Sequence, residues 1–428
     1  MSTSSSKVKP LLPVFQSVPG GVTAARGFRA AAVGCGIKNP ENKRLDLALV
    51  VSDFPTHTEA VFTTNQVKAA CVRVSAQHLR EPDTRAIIVN SGNANACTGP
   101  RGITDAKEMA KLTAEAVGCR MRQVLVCSTG IIGMPMPMER LRPGIPAVAA
   151  ALHAEGSDDA SRAIMTSDTR PKSVSIEVPC GDGSYRIGGI AKGAGMICPN
   201  MATMLSFITT DAKLSRDDLK RAVRYAVDKS FNRITVDGDT STNDTVIVMS
   251  NGQADAASIR RGSEDAHTFR EALLHVMLEL AKLIVADGER VTKFVEVRVR
   301  NARTVADARR AAEAVAKSLL CKCSFHGNDP NWGRIIHAVG YSGARLREEL
   351  IDIYFGGLIA CKGGLSTTTP IQELEKAVSE RNVSVLIDLN LGSANYIVYT
   401  SDLSEEYVDF NASEYSAAVH AKRQRGLA

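Results

Sequence analysis

Apolar residues recur along the chain at two spacings. Four segments place them three and four residues apart, the period of an amphipathic helix. These are "TDAKEMAKLTAEAV" (104–117), "SRDDLKRAVRYAVDKSF" (215–231), "DAHTFREALLHVMLELAKLIVADG" (265–288) and "TVADARRAAEAVAKSLLC" (304–321). The first opens on a Thr/Asp cap signal. The second starts at Ser215 and carries Asp217 and Asp218 in its first turn, where the helix dipole favours anions. The third stops at a glycine, and the fourth is alanine-rich. Eight shorter runs read as strands: 86–90, 123–127, 173–178, 185–191, 204–210, 244–250, 293–299 and 383–389. Several are apolar at successive positions, as expected for strands covered by helices; others alternate. The content is α/β without the strict rhythm of a doubly wound sheet, and no fixed-period repeat is present.

Loops of glycine and asparagine separate these runs: "NSGNANACTG" (90–99), "STGIIG" (128–133), "DGDTSTNDT" (237–245) and "GNDPNWG" (327–333). One such loop is ordinary turn chemistry. Four of them in one chain point to a shared pocket lined by exposed N–H groups. A length of 428 residues exceeds one ordinary core and predicts two or three domains or one large α/β assembly. The net charge of +6 is weak for that length, and the basic tail "AKRQRGLA" (421–428) reads as a solvated end. The first dozen residues, "MSTSSSKVKPLL", read as a disordered extension without a secretory h-region. No stretch approaches the roughly 20 apolar residues that span a bilayer. The 10 cysteines are scattered, and "CKC" (321–323) lacks zinc-site spacing. The expectation is a cytoplasmic protein with reduced thiols, no metal, no membrane contact and no nucleic-acid partner.

Conventional catalytic groups are poorly supported. Cys127 or Cys198 with a histidine would make a thiol catalyst, but no histidine lies in a recognisable motif, and His326 and His337 read as structural. "GIAKGAG" (189–195) has the glycines of a phosphate loop without its spacing. Asp237 and Asp239 read as holding their own loop. The segment "CPNMATMLSFITTDAKLS" (198–215) leaves two readings open. It is a buried strand containing Thr203, or a site of self-cutting. An internal threonine hydroxyl lacks a proton acceptor. A terminal threonine carries its own amine, of pKa about 7.7–8.0, within reach of Oγ. Attack of Thr203 Oγ on the Ala202 carbonyl, then hydrolysis of the ester, would generate that terminus.

The segment "AKGAGMICPNMATMLSFITTDA" (191–212) resembles the signature of the ornithine acetyltransferases, the bifunctional acetyltransferases of arginine biosynthesis. The resemblance extends in order through "GFRAAAVGCGIK" (27–38), "NSGNANACTG" (90–99), "CSTGIIG" (127–133), "IMTSDTRPK" (164–172), "DGDTSTNDTV" (237–246), "ADGERVTK" (286–293), "GNDPNWGRI" (327–335) and "SEEYVDFNA" (404–412). It covers about residues 20–416.

The resemblance implies an α/β (α+β) layered sandwich, autoprocessed to expose a threonine nucleophile. Cleavage between Ala202 and Thr203 would give an alpha chain (1–202) and a beta chain (203–428). Thr129 and Gly130 match the oxyanion hole, and Thr166, Lys192, Thr203, Glu289, Asn411 and Ser416 match substrate contacts. Ser416 replaces the family's usual threonine. Cys198, Arg290 and Val291 depart from the family pattern, as does the tail after Ser416. The implied reaction moves acetyl from N-acetylornithine to glutamate without a bound cofactor, with acetyl-CoA as an optional co-substrate. The implied assembly is a heterotetramer of two alpha and two beta chains. The alternatives carried are a self-cleaving aminopeptidase or amidohydrolase and a non-catalytic amino-acid-binding protein.

Overall fold

The computed structural model describes residues 15–38, 44–81, 83–198, 204–412 and 416. The expected extension at 1–12, the tail at 421–428 and both cleavage-site residues lie outside these. The strands are β1 (Gln16–Ser17), β2 (Phe28–Val33), β3 (Leu47–Phe62), β4 (Thr84–Asn93), β5 (Val124–Ile131), β6 (Lys172–Cys180), β7 (Gly183–Lys192), β8 (Leu205–Thr210), β9 (Thr245–Ser250), β10 (Phe294–Ala302), β11 (Asp352–Phe355), β12 (Leu358–Lys362), β13 (Leu365–Ser366), β14 (Asn382–Asp388) and β15 (Ala394–Ser401). The helices are α1 (Ala70–His78), α2 (Gly99–Val117), α3 (Met138–Ala150), α4 (Ser157–Ala163), α5 (Arg216–Lys229), α6 (Glu264–Ala286), α7 (Val305–Lys317), α8 (Leu319–His326), α9 (Trp332–Tyr341), α10 (Ile371–Ser379) and α11 (Glu405–Asn411).

The larger sheet runs β1-β6-β7-β8-β9-β3-β4-β5, with β2 also on β3. Its long strand β3 makes this possible. Leu47–Val51 pair with β2 and β4, whereas His57–Phe62 pair with β9. The register shifts between Val51 and Thr56, a break of the kind that bends a strand. The sheet therefore folds into two halves that face each other.

Alternation along the strands shows the layering. Ala48, Val50, Ile87, Val89, Leu125 and Cys127 from one half share a core with Ile190, Leu205, Phe207, Ile247 and Met249 from the other. On the opposite face of the first half, Leu47, Leu49, Ile88 and Val126 pack with Met109, Leu141 and Ile145 of α2 and α3. On the opposite face of the second, Ile208, Val246 and Val248 pack with Val223, Met277 and Leu280 of α5 and α6. The order is helices, sheet, sheet, helices, the layered α/β sandwich that the family resemblance implies. Strands apolar at every position are correct here, but only one face is covered by helices; the other is covered by the opposing sheet.

The smaller sheet runs β13-β12-β11-β14-β10-β15 and packs its own core against α7, α9 and α10. All eight expected strands and all four expected helices are present. The fourth helix divides at Ser318, whose hydroxyl caps α8 by accepting from Cys321 N–H. Strands from both sides of the 202/203 boundary share the larger sheet, with β7 antiparallel to β8. Among the described residues no helix is long and apolar enough to cross a membrane.

Candidate functional site

Strand ends gather the site. β4 and β5 are parallel, so Ser91 and Thr129 lie side by side near their C-terminal ends, followed by Gly92 and Gly130. β7 ends at Lys192, which pairs with Leu205 at the start of β8. Leu205 is two residues after Thr203 in the chain. β9 lies parallel to β8, with Leu205 opposite Thr245. In the smaller sheet, the start of β10 at Phe294 pairs with the end of β15 at Ser401. That register brings the Glu289 loop and helix α11, with Asn411, to the same end.

Lys192 is the centre of the polar network. Its Nζ donates to Thr166 Oγ1 (2.7 Å) and Thr129 Oγ1 (3.3 Å), and Asp168 Oδ2 lies 3.9 Å away. The residue is only 3% exposed. Burial lowers its ammonium from the usual lysine range, with Asp168 pulling the other way. Asp168 is also held by Lys172 Nζ (2.6 Å), Gly193 N–H (2.7 Å) and Thr166 N–H (3.0 Å). Burial alone would raise its carboxyl; Lys192, Lys172 and the Gly193 N–H hold it well below the usual carboxylate range. Lys172 reaches Asp287 as well, at 2.6 Å. The result is a buried chain of alternating charges behind Lys192.

Glu289 joins through Ser167, the residue after Thr166. Its Oε1 accepts from Ser167 Oγ (2.6 Å) and its Oε2 from Asn411 Nδ2 (3.1 Å). A Cβ on Gly195 would lie 2.4 Å from the Glu289 carboxyl. Glycine density before the cleavage segment thus has a packing reason, and no phosphate loop is needed to explain it. Gly130 adopts φ +134°, and a Cβ there would meet Gly92 C at 2.4 Å. That close approach sets the strand end beside the Thr129 hydroxyl.

The predicted residues Thr129, Gly130, Thr166, Lys192, Glu289 and Asn411 therefore converge. Ala202 and Thr203 lie outside the described residues. Ser416 is exposed and, among the described residues, makes no hydrogen bond to Glu289 or Asn411. Asp168, Lys172, Asp287 and Ser167 complete the site without a sequence signal of their own. All four stand inside the motifs named above, but a polar network closed between distant segments leaves no spacing signal. Asp237 accepts from Asp239 N–H (3.1 Å), as expected of a loop-holding carboxylate, and also from Met196 and Ile197 N–H. Burial pushes the Cys127 and Cys198 thiols up, away from thiolate, and His326 is engaged by Asp402 at 2.9 Å.

These polar groups meet at one end of the strands of a layered α/β frame, and the family the chain matches makes that frame an acyltransferase's. The chain belongs to the ArgJ family, whose sequence model matches residues 29–417. It is 51% identical over 388 residues to the arginine biosynthesis bifunctional protein ArgJ of Geobacter sulfurreducens, covering 90% of this chain and 98% of that one. It is 42% identical over 411 residues to the glutamate N-acetyltransferase of Methanocaldococcus jannaschii, covering 93% and 99%. The crystal structure of the Mycobacterium tuberculosis ornithine acetyltransferase complexed with ornithine is 42% identical, with a TM-score of 0.40, covering 44% of this chain and 98% of that one.

Proposed function

We propose that the protein transfers the acetyl group of N-acetylornithine to glutamate through an acetyl ester on Thr203, within cytoplasmic arginine biosynthesis. The observation that carries this reading is a pair of opposed charges on neighbouring residues: Lys192, opposite the start of β8, binds the Thr129 and Thr166 hydroxyls, and Glu289 binds the Ser167 hydroxyl. An amino acid needs such a pair: an ammonium for its α-carboxylate and a carboxylate for its amino groups.

The chain first cuts itself between Ala202 and Thr203, and the two fragments stay together, two of each forming the heterotetramer. Thr203 Oγ then attacks the N-acetyl carbonyl while the Thr203 amine takes the hydroxyl proton. The oxyanion is met by Thr129 Oγ1 and Gly130 N–H, donors worth about 3–4 kcal/mol each in other acyl transfers. The carbon–nitrogen bond breaks, the amine passes the proton to the leaving nitrogen, and ornithine departs. The glutamate amine attacks the ester by the reverse steps and leaves as N-acetylglutamate. The scheme uses no metal or bound cofactor, and acetyl-CoA is a further candidate donor. Thr166, Asn411 and Ser416 complete the substrate contacts.

Intact-mass spectrometry tests the reading. Wild-type protein is expected as two fragments, the one beginning at Thr203 gaining one acetyl group on incubation with N-acetylornithine and losing it to glutamate. Thr203→Ala is expected to stay whole and unloaded. A whole wild-type chain that is fully active would refute the terminal-amine mechanism. Loss of the acetyl group to water at the same rate without glutamate would favour a hydrolase.

A further inference from the structure

The loop from Thr235 to Thr245 grips the chain on both sides of the proposed cut. Upstream, the Ile197 carbonyl accepts from Val236 N–H (2.8 Å) and Thr235 Oγ1 (2.9 Å). The Asp237 carboxyl accepts from Ile197 N–H (2.9 Å) and Met196 N–H (2.6 Å). Downstream, Asp244 Oδ1 accepts from Met204 N–H (3.0 Å), and Thr245 N–H donates to the Met204 carbonyl (3.1 Å). The same loop is tied to the strand that carries Thr129. Asn243 Nδ2 donates to the Ser128 carbonyl (2.8 Å) and to the Ala94 carbonyl (2.6 Å).

We propose that this loop is a two-sided clasp on the processed junction: Asp237 positions the outgoing side, whereas Asp244, through the Met204 amide, positions the nucleophile during self-cutting and at every later turnover. The inference rests on the cut between Ala202 and Thr203 proposed above. Its physical basis is chain connectivity. The Met204 N–H belongs to the planar peptide unit whose carbonyl is that of Thr203. Fixing that unit leaves the nucleophile only its own torsions, and attack depends on holding the reacting atoms in line. Before the cut both anchors act on one continuous chain. After it, the upstream anchor no longer connects covalently to Thr203, but the downstream one still does.

Burial pushes the Asp244 carboxyl well above the usual carboxylate range, with the Met204 N–H and Lys192 pulling the other way. A neutral asparagine, whose amide oxygen still accepts, is therefore its closest substitute.

The experiment follows Asp237→Ala, Asp244→Ala and Asp244→Asn. Fragment appearance on denaturing gels gives the cutting rate. The kcat and KM, expressed per cut molecule, give turnover, and a thermal melt reports folding. Asp237→Ala is expected to slow cutting about tenfold while kcat stays within about threefold, because its anchor has been released. Asp244→Ala is expected to slow cutting about a hundredfold and lower kcat at least about tenfold at similar KM, with Asp244→Asn recovering most of both. Cutting by Asp244→Ala at the wild-type rate overturns the clasp, as does an Asp244→Asn variant as slow as alanine. If the alanine variant does not fold, Asp244→Asn compared with Asp244→Ser makes the same decision. A wild-type chain that never cuts sinks the underlying function, and the clasp with it. A wild type that cuts beside an equally fast Asp244→Ala sinks the clasp alone.

Discussion

Lys192 has left water for a site whose oxygen partners are two hydroxyls and, 3.9 Å away, the Asp168 carboxylate. A buried ammonium with so little direct compensation is costly unless a ligand completes it. An incoming α-carboxylate would do so. Lys192→Met keeps the aliphatic length and removes the charge. It is expected to lower kcat/KM by about a hundredfold or more, the cost of losing a buried charged partner, while Thr203-fragment formation is read separately on gels. Asp168 has the complementary task of holding Lys192 and Lys172 in place. Its folded value lies below the unfolded one near 3.9, so its contribution is fully present above that pH and is lost as pH falls toward the folded value. Asp168→Asn should therefore be less stable than wild type by about 3 kcal/mol near neutrality. The gap in melting temperature should hold down to about pH 5 and narrow below about pH 4. A constant gap to about pH 2 would contradict the assignment. The site was legible as separate motifs: Thr129, Lys192 and Glu289 each stood in one. Asp168, Lys172 and Asp287 were not legible as a network, because their ion pairs join residues 115 or more apart as well as neighbours.

At the scale of elements, legibility followed periodicity. Strand β8 and helix α5 announce themselves by apolar pattern and by the Ser215 cap, which accepts from Asp218 N–H. Helix α3 does not. It contains Pro143 and Pro146, residues that local rules read as breakers, and packing of Leu141, Ile145 and Val148 into the first half-sheet core overrides them. The bend in β3 was equally hidden, since a shift in pairing depends on partners far along the chain. Glycine 130 is a case where element and chemistry meet. Its left-handed φ, and the 2.4 Å at which an added Cβ would meet Gly92 C, leave no room for a side chain. Gly130→Ala is expected to cost about 1–3 kcal/mol in backbone strain alone, and to displace the neighbouring Thr129 hydroxyl. Denaturant unfolding measures the first effect. A fall in kcat at nearly constant KM would mark the second, since an oxyanion donor acts mainly in the transition state. Wild-type kcat in a folded Gly130→Ala protein would remove this strand end from the mechanism.

Across the whole molecule, the proposed cut falls where separation is hardest. Strand β7 of the first fragment lies hydrogen-bonded to β8 of the second over six residue pairs, Ile187–Lys192 against Thr210–Leu205. The second fragment also contributes β9, which joins β8 to β3 of the first. Each fragment thus supplies interior strands to one sheet, and Leu205, Phe207 and Ile247 of the second are buried in the same core as Val50, Ile87 and Leu125 of the first. Neither could leave without stripping a ladder and exposing that core, at roughly 25 cal/mol for each Å² of apolar surface. The processed protein should therefore elute in native size exclusion as one species containing both fragments in equal amounts. The larger sheet should also unfold in denaturant as a single transition, followed by circular dichroism. Trp332 is the chain's only tryptophan and sits in α9 beside the smaller sheet, so fluorescence reports that region while circular dichroism reports all strands. Coincident curves would mean that the two sheets melt together; an early fluorescence change would mean that the smaller sheet opens first. Release of one fragment under native conditions, before either signal moves, would contradict a sheet shared between them.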